Sequence, residues 1–412
     1  MRYGLLGREL CHSFSPRIHA ALGLEGYELF PVEPEGLADF LRRGDIGWLN
    51  ITMPYKRAVM PYCTRVSDGA RAAGAVNTMV RRGGEWHGYN TDTDGFSAMA
   101  ERAGVSLAGK RVLVLGSGGG AAAVSAAAER AGCAWVRCVS RRGELNFENM
   151  YGLCADAQVI VNATPVGMFP HAEGLPADIG GFPQAEAALD LVYNPLRTRF
   201  VLAARERGLP ALGGLSMLVF QARQAQMLAL GGSGDAQRAL RELALGKRSI
   251  VLTGMPGCGK STVGRLLAEA LGRELLDTDE LVSRAAGQSV PEMIARRGEA
   301  EFRRLEREAV REAAARTGTV IALGGGAALD AENRTMLRQN GYIVWLRREL
   351  SQLATEGRPL SAGGTERLAR LAAEREPVYA AFADAEAENG ASPRRCAREV
   401  AEIFARNGGA EI

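Results

Sequence analysis

Cysteine and histidine are scarce in this chain of 412 residues, which contains seven of the first and four of the second. The cysteines form no C-x-x-C pair, and the histidines show no spacing typical of metal ligands. A small disulfide scaffold is therefore excluded, and free thiols in a cytoplasmic protein are favoured.

Charge of one sign and long apolar runs are also missing. The chain has 50 Lys and Arg against 47 Asp and Glu, a net charge of +3, without the positive field of a nucleic-acid or anionic-membrane binder. The smoothest apolar stretch, residues 112–128, is mostly Gly, Ala and Ser, too weak for a membrane span. His12 and Arg17 interrupt any signal peptide. We therefore predict a cytoplasmic protein with small-molecule partners, and with neither a nucleic-acid nor a membrane partner; the oligomeric state stays open.

Short β-like runs alternate with helical patterns along nearly the whole chain, which is typical of parallel α/β layers. A hairpin is predicted at 77–90, around Gly83-Gly84. The glycine-rich segment 231–234 predicts a flexible link, followed by a short helix and a new strand at Ser249.

One glycine-rich loop, residues 254–261, matches G-x-x-x-x-G-K-[ST] between an apolar strand and a helix. Its glycines let successive N–H groups turn inward, and the helix N-terminus adds its dipole, so the loop predicts a nucleotide phosphate site. Lys260 is expected to reach the β- and γ-phosphates of ATP, and the Ser261 hydroxyl to ligate Mg²⁺. The predicted nucleotide-binding residues are Gly254, Gly257, Cys258, Gly259, Ser261 and Thr262.

A second loop, residues 116–121, reads G-x-G-x-x-A after a strand and before a helix, which predicts a Rossmann dinucleotide site. The next strand ends at Ser140-Arg141-Arg142 and not at an acidic residue. Arginines there can pair with a 2′-phosphate, so NADP(H) is favoured over NAD. The predicted cofactor-binding residues are Gly116, Gly118, Gly119, Gly120, Ala121, Ser140, Arg141 and Arg142.

Further motifs surround the first of these loops: D-T-D at 277–279, G-E-x-x-F-R-x-x-E at 298–306, G-G-G at 324–326, R-P-L at 358–360 and R-E-P-V-Y at 375–379. Over residues 249–390 the chain resembles shikimate kinase. The resemblance implies phosphorylation of shikimate, a small carboxylate with three hydroxyls, to shikimate 3-phosphate by ATP and Mg²⁺. Arg303 and Arg375 would clamp the carboxylate as bidentate donors, and Asp279 would orient or deprotonate the reacting hydroxyl. The remaining roles would fall to Asp277 (Mg²⁺), Gly325 (close approach to the ring) and Arg358 (a lid over the transferred phosphoryl group).

The first part of the chain is similar to shikimate dehydrogenase over residues 2 to about 230. The matching blocks are 4–7, 12–19, 50–56, 74–78, 88–95, 162–168, 190–195 and 214–222. The resemblance implies NADPH-dependent reduction of 3-dehydroshikimate, with Lys56 and Asp92 handling the proton. Gly214 and Met217 would border the nicotinamide, while His12 and His19 would be structural. The implied substrate-binding residues are Ser13, Ser15, Thr52, Asn77, Tyr193 and Gln221.

These observations predict an α/β protein: an N-terminal α/β substrate domain plus a Rossmann dinucleotide domain, followed by a P-loop kinase α/β domain with a parallel sheet. The predicted bounds are 1–102 (substrate domain), 103–213 (NADP domain), 214–232 (helix returning to the substrate domain), 233–247 (linker) and 248–412 (kinase). The two active sites would be independent and would act on consecutive intermediates of aromatic amino-acid precursor synthesis.

Two departures and two alternatives accompany this prediction. Only about twenty residues separate Ser140 from Val159, where the dehydrogenase family has room for another strand and helix, and residues 353–357 lack the basic residue that the kinase family places near adenine. One alternative is that the first part oxidises quinate as well as shikimate. The other, a ligand sensor without turnover, would be expected to have lost Lys56, Asp92, Lys260 or Asp279, and all four are present.

Overall fold

A computed structural model describes residues 1–10, 13–353, 364–390 and 392–409. The chain divides into two compact units, Met1–Leu243 and a second unit that begins at Ala244. Within the described ranges, no helix is long and apolar enough to span a bilayer. Each unit is described by itself below.

The first unit begins with a mixed sheet in the order β2-β1-β3-β5-β6-β4, in which β5 runs antiparallel to β3 and β6. Its apolar residues lie on buried strand faces, as at Leu6, Leu49 and Met79. The elements are β1 (Arg2–Gly7), α1 (Ser15–Ala21), β2 (Glu28–Pro31), α2 (Leu37–Arg42), β3 (Ile46–Ile51), β4 (Cys63–Val66), α3 (Asp68–Ala73), β5 (Thr78–Arg82), β6 (Glu85–Tyr89) and α4 (Asp92–Arg102).

The second part of this unit is a wholly parallel sheet in the order β11-β10-β9-β7-β8. The strand order reverses beside β7, and parallel sheets bind ligands at such a point, outside the carboxyl ends of their strands. The elements are β7 (Arg111–Leu115), α5 (Gly119–Arg130), β8 (Trp135–Val139), α6 (Met150–Leu153), β9 (Val159–Asn162), β10 (Ala187–Asp190), α7 (Arg199–Glu206), β11 (Ala211–Leu212), α8 (Leu215–Leu230) and α9 (Ala236–Lys247).

Helix α8 leaves the dinucleotide sheet and makes hydrogen bonds to the substrate domain. The Arg82 guanidinium donates to the Leu228 carbonyl (2.8 Å), and Gln226 Nε2 lies 3.0 Å from His19 Nδ1. The glycine-rich segment that follows is also held: Ser233 Oγ donates to Gln226 Oε1 (2.9 Å), and Gly234 N donates to the Leu22 carbonyl (3.1 Å).

The second unit is built on a parallel sheet in the order β13-β14-β12-β15-β16, with the phosphate loop after the central strand β12. Strands β12 and β15 are buried along nearly their whole length, which explains their continuous apolar sequences. The elements are β12 (Ser249–Thr253), α10 (Lys260–Leu271), β13 (Leu275–Asp277), α11 (Thr278–Ala286), α12 (Val290–Ala315), β14 (Val320–Ala322), α13 (Ala331–Asn340), β15 (Gly341–Arg347), α14 (Gly364–Phe382), β16 (Ala385–Glu388) and α15 (Pro393–Asn407).

The predicted α/β architecture is confirmed, and the differences are local. The hairpin lies where it was predicted, with Gly83 and Gly84 both at positive φ. The sequence pattern did not predict four short strands, β4, β10, β11 and β16. The long helix α12 is interrupted at Gly298, whose φ of 81° and ψ of 167° are non-helical. Between β8 and β9 the described chain forms only the short helix α6, in line with the shortened segment in the sequence.

Candidate active sites

The first candidate site is centred on Lys56 and Asp92. Lys56 Nζ donates to Asp92 Oδ2 at 2.7 Å, and the two side chains are 26% and 13% exposed. Lys56 lies in the turn region after β3, and its carbonyl accepts from Val76 N (2.7 Å). Asp92 begins α4, where the helix dipole favours a negative charge. A half-buried ammonium–carboxylate pair of this kind can donate a proton and polarise a carbonyl.

A cavity of about 380 Å³ opens onto this pair. It has room for a small ring acid, and hydroxyl, amide and phenol groups form much of its wall. All of the substrate-binding residues predicted for this part line it: Ser13, Ser15, Thr52, Asn77, Tyr193 and Gln221.

A buried hydrogen-bond network holds the amide side of the cavity. Asn77 Oδ1 accepts from Thr91 N at 2.7 Å and from the Thr91 and Thr78 hydroxyls at 3.2 and 3.1 Å. Thr91 Oγ1 lies 3.3 Å from Gln221 Oε1. The Asn77 oxygen is therefore committed to protein donors, and its amide nitrogen is the group that can donate toward a ligand.

The dinucleotide loop lies beside the same pair. Gly116 has a φ of 119° and is crowded by the Ala163 carbonyl, 3.0 Å from the place a Cβ would take. At Gly118 no described atom lies within 4 Å of that place, and at Gly119 the nearest is Lys56 Cδ at 4.0 Å. Open N–H groups at the start of α5 fit a pyrophosphate. The lysine of the pair thus lies next to the predicted cofactor loop.

The remaining residues predicted for the cofactor are spread around this loop. Arg141 and Arg142 are exposed after β8, and Ser140 N donates to the Leu145 carbonyl (3.1 Å). Gly214 lies so close to the Leu191 carbonyl that a Cβ would overlap it, while Met217 is buried one turn into α8. Exposed guanidinium groups at the edge of a dinucleotide sheet fit the 2′-phosphate of NADP(H).

The second candidate site is the phosphate loop between β12 and α10. Gly254, Gly257 and Gly259 have φ values of 143°, 85° and 97°, a backbone conformation that glycine adopts easily. Lys260 is buried and its ammonium donates to the Gly254 and Met255 carbonyls, at 2.9 and 3.1 Å. The loop therefore already holds its cation within the cradle, which fits a phosphate ligand.

Two side-chain oxygens of the kind that can hold a magnesium ion lie next to this loop. Ser261 Oγ donates to Asp277 Oδ2 at 2.6 Å, and Asp277 Oδ1 accepts from Asp279 N at 3.0 Å as the N-cap of α11. Hydroxyl and carboxylate oxygens are the protein donors that Mg²⁺ prefers. These donors fit the ion at the position that the sequence predicted.

The residues predicted to bind the substrate carboxylate and its reacting hydroxyl lie next to the G-G-G segment after β14. A Cβ at Gly324 would overlap Asp279 Oδ1, and a Cβ at Gly326 would overlap the Arg303 guanidinium. Arg303 Nη1 lies 2.7 Å from Glu306 Oε2. Glu306 is buried, and burial raises the pKa of its carboxyl although Arg303 opposes the shift. The paired glutamate fixes the direction of the guanidinium.

Arg375 completes the set from α14. It is buried, and its Nη1 donates to the Gly325 carbonyl (3.2 Å), which also accepts from Tyr379 OH (2.5 Å). Burial raises the pKa of Tyr379 to about 12, so its phenol remains a donor. Arg358 lies outside the described residues, as does His12.

Several buried partners of these residues were not singled out by sequence reasoning. Asn389 Nδ2 donates to the Cys258 carbonyl (2.7 Å) and packs against Gly259. Asn50, which lines the first cavity, accepts from Tyr27 OH (2.8 Å). Glu306 could have been identified from the sequence, because it is the last residue of the G-E-x-x-F-R-x-x-E motif. Asn389 gave no signal, because it follows a strand that the sequence did not predict.

Comparison with known proteins finds one family that matches the part of the chain with the first site and another that matches the part with the second site. The shikimate dehydrogenase substrate binding domain matches residues 5–79, and the shikimate kinase family matches residues 256–405. Shikimate dehydrogenase (NADP(+)) of Symbiobacterium thermophilum is 38% identical over 250 residues, covering 53% of this chain and 85% of the relative. That of Thermus thermophilus is 38% identical over 265 residues, covering 60% of this chain and 100% of the relative.

Solved structures give the same result for the first unit. A chorismate mutase/shikimate 5-dehydrogenase fusion protein from Clostridium acetobutylicum superposes with a TM-score of 0.54 at 35% identity, covering 57% of this chain and 93% of that chain. The shikimate 5-dehydrogenase of Thermus thermophilus in complex with NADP(H) and shikimate gives 0.53 at 34% identity, covering 58% and 97%.

The first unit joins a dinucleotide sheet to a substrate domain whose cavity has hydroxyl and amide groups in its wall, and the second unit contains a phosphate loop. The chain is therefore an oxidoreductase fused to a kinase. Because the chain covers 85% of one relative and 100% of another at 38% identity, it belongs to the shikimate dehydrogenase family, and a shikimate kinase domain forms its C-terminal part.

Proposed function

We propose that the two units catalyse consecutive reactions: reduction of 3-dehydroshikimate to shikimate with NADPH, then phosphorylation of shikimate to shikimate 3-phosphate with ATP and Mg²⁺. The observation that carries the proposal is the Lys56–Asp92 pair, 2.7 Å apart, at the wall of a cavity lined by the predicted substrate-binding residues. The family assignment of each half supports the same pair of reactions.

In the first unit the chain's own residues supply binding and the proton. Ser13 and Ser15 donate to the substrate carboxylate, while Asn77 and Gln221 bind ring hydroxyls beside Thr52 and Tyr193. NADPH, when bound, supplies the hydride. Lys56 donates the proton that the carbonyl oxygen gains on reduction, and Asp92 keeps the ammonium directed at that oxygen.

In the second unit the residues neutralise charge and orient the acceptor. Arg303, directed by Glu306, and Arg375, held at the Gly325 carbonyl, clamp the shikimate carboxylate. Asp279 orients the attacking hydroxyl and accepts its proton. Lys260 moves from its loop carbonyls to the transferred phosphoryl group, whose charge it offsets. Ser261 and Asp277 would hold Mg²⁺, which would supply positive charge against the phosphates of ATP.

A coupled assay tests the whole proposal. With 3-dehydroshikimate, NADPH, ATP and Mg²⁺, the chain should consume NADPH and form shikimate 3-phosphate in equal amounts once both steps are running. Omitting ATP should stop the reaction at shikimate, and adding shikimate without NADPH should still give the phosphate ester. Loss of NADPH without the ester, or formation of the ester without any reductase activity, would leave only one half of the proposal standing.

A further inference from the structure

Asp190, at the end of β10, is a fully buried carboxylate that joins three segments of the dinucleotide domain. Its Oδ1 accepts from Asn162 Nδ2 and Val192 N, both at 2.9 Å, and its Oδ2 accepts from Thr198 Oγ1 at 2.6 Å. Asp190 appeared in the sequence only as the first residue of a matching block, without a role.

The partners of Asp190 hold the loops that follow two adjacent strands. Asn162 ends β9 directly opposite Asp190, and its own Oδ1 accepts from Thr164 N (3.0 Å) and Thr164 Oγ1 (2.7 Å). Thr198 is the N-cap of α7, accepting from Val201 N (3.3 Å). All of them lie at the carboxyl edge of the parallel sheet, where such sheets bind ligands.

The loop fixed by Asp190 touches both ligand regions. The Leu191 side chain lies 3.0 Å from the place a Cβ would take at Gly120, and the Val192 carbonyl accepts from Gly214 N (2.8 Å). Tyr193, the next residue, lines the substrate cavity. Three consecutive residues after Asp190 therefore contact the dinucleotide loop, the start of α8 and the substrate cavity.

We propose that Asp190 is a positioning residue for the dehydrogenase reaction, which holds Tyr193 in the substrate cavity and Leu191 against the dinucleotide loop. The inference rests on the proposed reductase function of this unit. Asp190 acts through its neighbours, since it is buried behind the cavity wall. Burial raises the pKa of its carboxyl to about 7, although three donors favour the ionised form, so an uncharged amide of the same shape is a suitable replacement.

The test compares Asp190→Ala with Asp190→Asn in reductase turnover. The alanine variant loses every acceptor, and a displacement of the loop by about 1 Å should lower kcat by about 10 to 100-fold. The asparagine variant keeps Oδ1 for Asn162 and Val192, and its amide can donate to the Thr198 hydroxyl, so its kcat should stay within about fivefold. An asparagine variant as impaired as the alanine variant would mean that the charge, and not the positioning, is what the reaction needs.

A double-substitution cycle separates positioning from a general structural role. If Asp190 acts through Tyr193, the combined Asp190→Ala/Tyr193→Ala variant should lose clearly less than the product of the two single losses. The inference is overturned if the loss in the double variant equals the product of the two single losses, or if Asp190→Ala has unchanged activity. If Asp190→Ala does not fold, Thr198→Val, which removes one donor to the carboxylate, replaces it in the same cycle. The double variant with Tyr193→Ala is again expected to lose less than the product of the single losses.

Three readouts keep the outcome unambiguous. Kinase activity of the same chain, expected at the parent level in every variant, reports an intact second unit. Asp178→Ala is the matched control, because Asp178 is an exposed aspartate of the same domain whose carboxylate accepts from Gly180 N, two residues away (2.8 Å). This variant should retain full reductase activity. The parent chain is assayed first: if it does not reduce 3-dehydroshikimate, the proposed function fails, whereas an active parent with unaffected Asp190 variants refutes only the role of Asp190.

Discussion

His19 shows how burial alone decides the state of a residue that the sequence left as structural. Its ring is 1% exposed, stacks on Tyr27 with ring centres 4.0 Å apart, and lies 3.0 Å from the amide nitrogen of Gln226. Burial lowers the pKa of His19 from 6.5 to about 3. The imidazole is therefore neutral in the native state at any ordinary pH, and it serves as a packing and hydrogen-bonding group.

This shift predicts a loss of stability in mild acid. Below pH 6.5 the unfolded chain binds a proton at His19 that the native state refuses, so the free energy of unfolding falls as the pH decreases toward the native pKa of about 3. Relative to His19→Asn, the parent should lose about 2 kcal/mol between about pH 7 and about pH 5. Urea unfolding measures it when it is followed by tryptophan emission, to which Trp48 contributes; the Trp48 ring packs edge-on against His19 with ring centres 5.3 Å apart. Parallel pH profiles for the parent and the variant would contradict the prediction.

The site residues that the sequence identified belong to short motifs whose residue types indicate their chemical role. Lys56 and Asp92 were expected to act together and lie 2.7 Å apart, and Ser261 and Asp277 were expected to share an ion and lie 2.6 Å apart. Asp190 shows the limit of such reasoning. Its three partners come from positions 162, 192 and 198, and only the register of β9 against β10 brings two of these segments together.

At the scale of elements, Gly298 divides α12 into two helical segments. Its φ of 81° with ψ of 167° is a conformation that only glycine adopts readily, and no described atom lies within 4 Å of the place a Cβ would take. The second segment carries Arg303 and Glu306 to the glycines after β14. The break therefore sets the direction of the helix that presents the guanidinium.

Gly298→Ala should consequently harm the kinase in two ways. Alanine in this conformation costs about 1–3 kcal/mol of stability, and relief of that strain would turn the helix and displace Arg303, so the KM for shikimate should rise. Gly287→Ala is the matched control: it too has open space at Cβ, but its φ of 66° and ψ of 16° lie in the left-handed region at the end of α11, where the cost is about 1 kcal/mol. Equal KM values for the two variants, measured by shikimate titration, would refute the assignment.

The elements that sequence reasoning missed share a physical reason. Strand β16 has the sequence Ala-Glu-Ala-Glu, which lacks the branched and aromatic residues typical of strands, so its pairing with β15 comes from tertiary context. The break at Gly298 is invisible to periodicity, because the apolar spacing on both sides of it is helical. Strands that precede the two glycine-rich loops were predicted correctly, since buried parallel strands are continuous apolar runs.

At the scale of the whole molecule, each compact unit contains one of the two pairs that we propose as catalytic, Lys56 with Asp92 in the first and Lys260 with Asp279 in the second. Lys56→Ala should therefore cut reductase turnover by about 10² to 10⁴-fold and leave the kinase at the parent level, because an acid–base group is lost from one unit only. Lys260→Ala should do the reverse. Loss of both activities from one substitution, in a protein that still folds, would show that the sites depend on each other.

Mixing the two variants then tests what the covalent connection contributes. If shikimate passes between the units by free diffusion, a mixture of the Lys56→Ala chain and the Lys260→Ala chain, matched in active sites to the parent, should form shikimate 3-phosphate at the same steady rate. The tether raises the local concentration of one unit near the other, and this advantage vanishes once bulk shikimate exceeds what the kinase needs. The parent and the mixture should therefore differ only in the lag before the phosphate ester appears, and the coupled assay measures that lag. A steady rate in the mixture well below that of the parent would require direct transfer of shikimate within one chain.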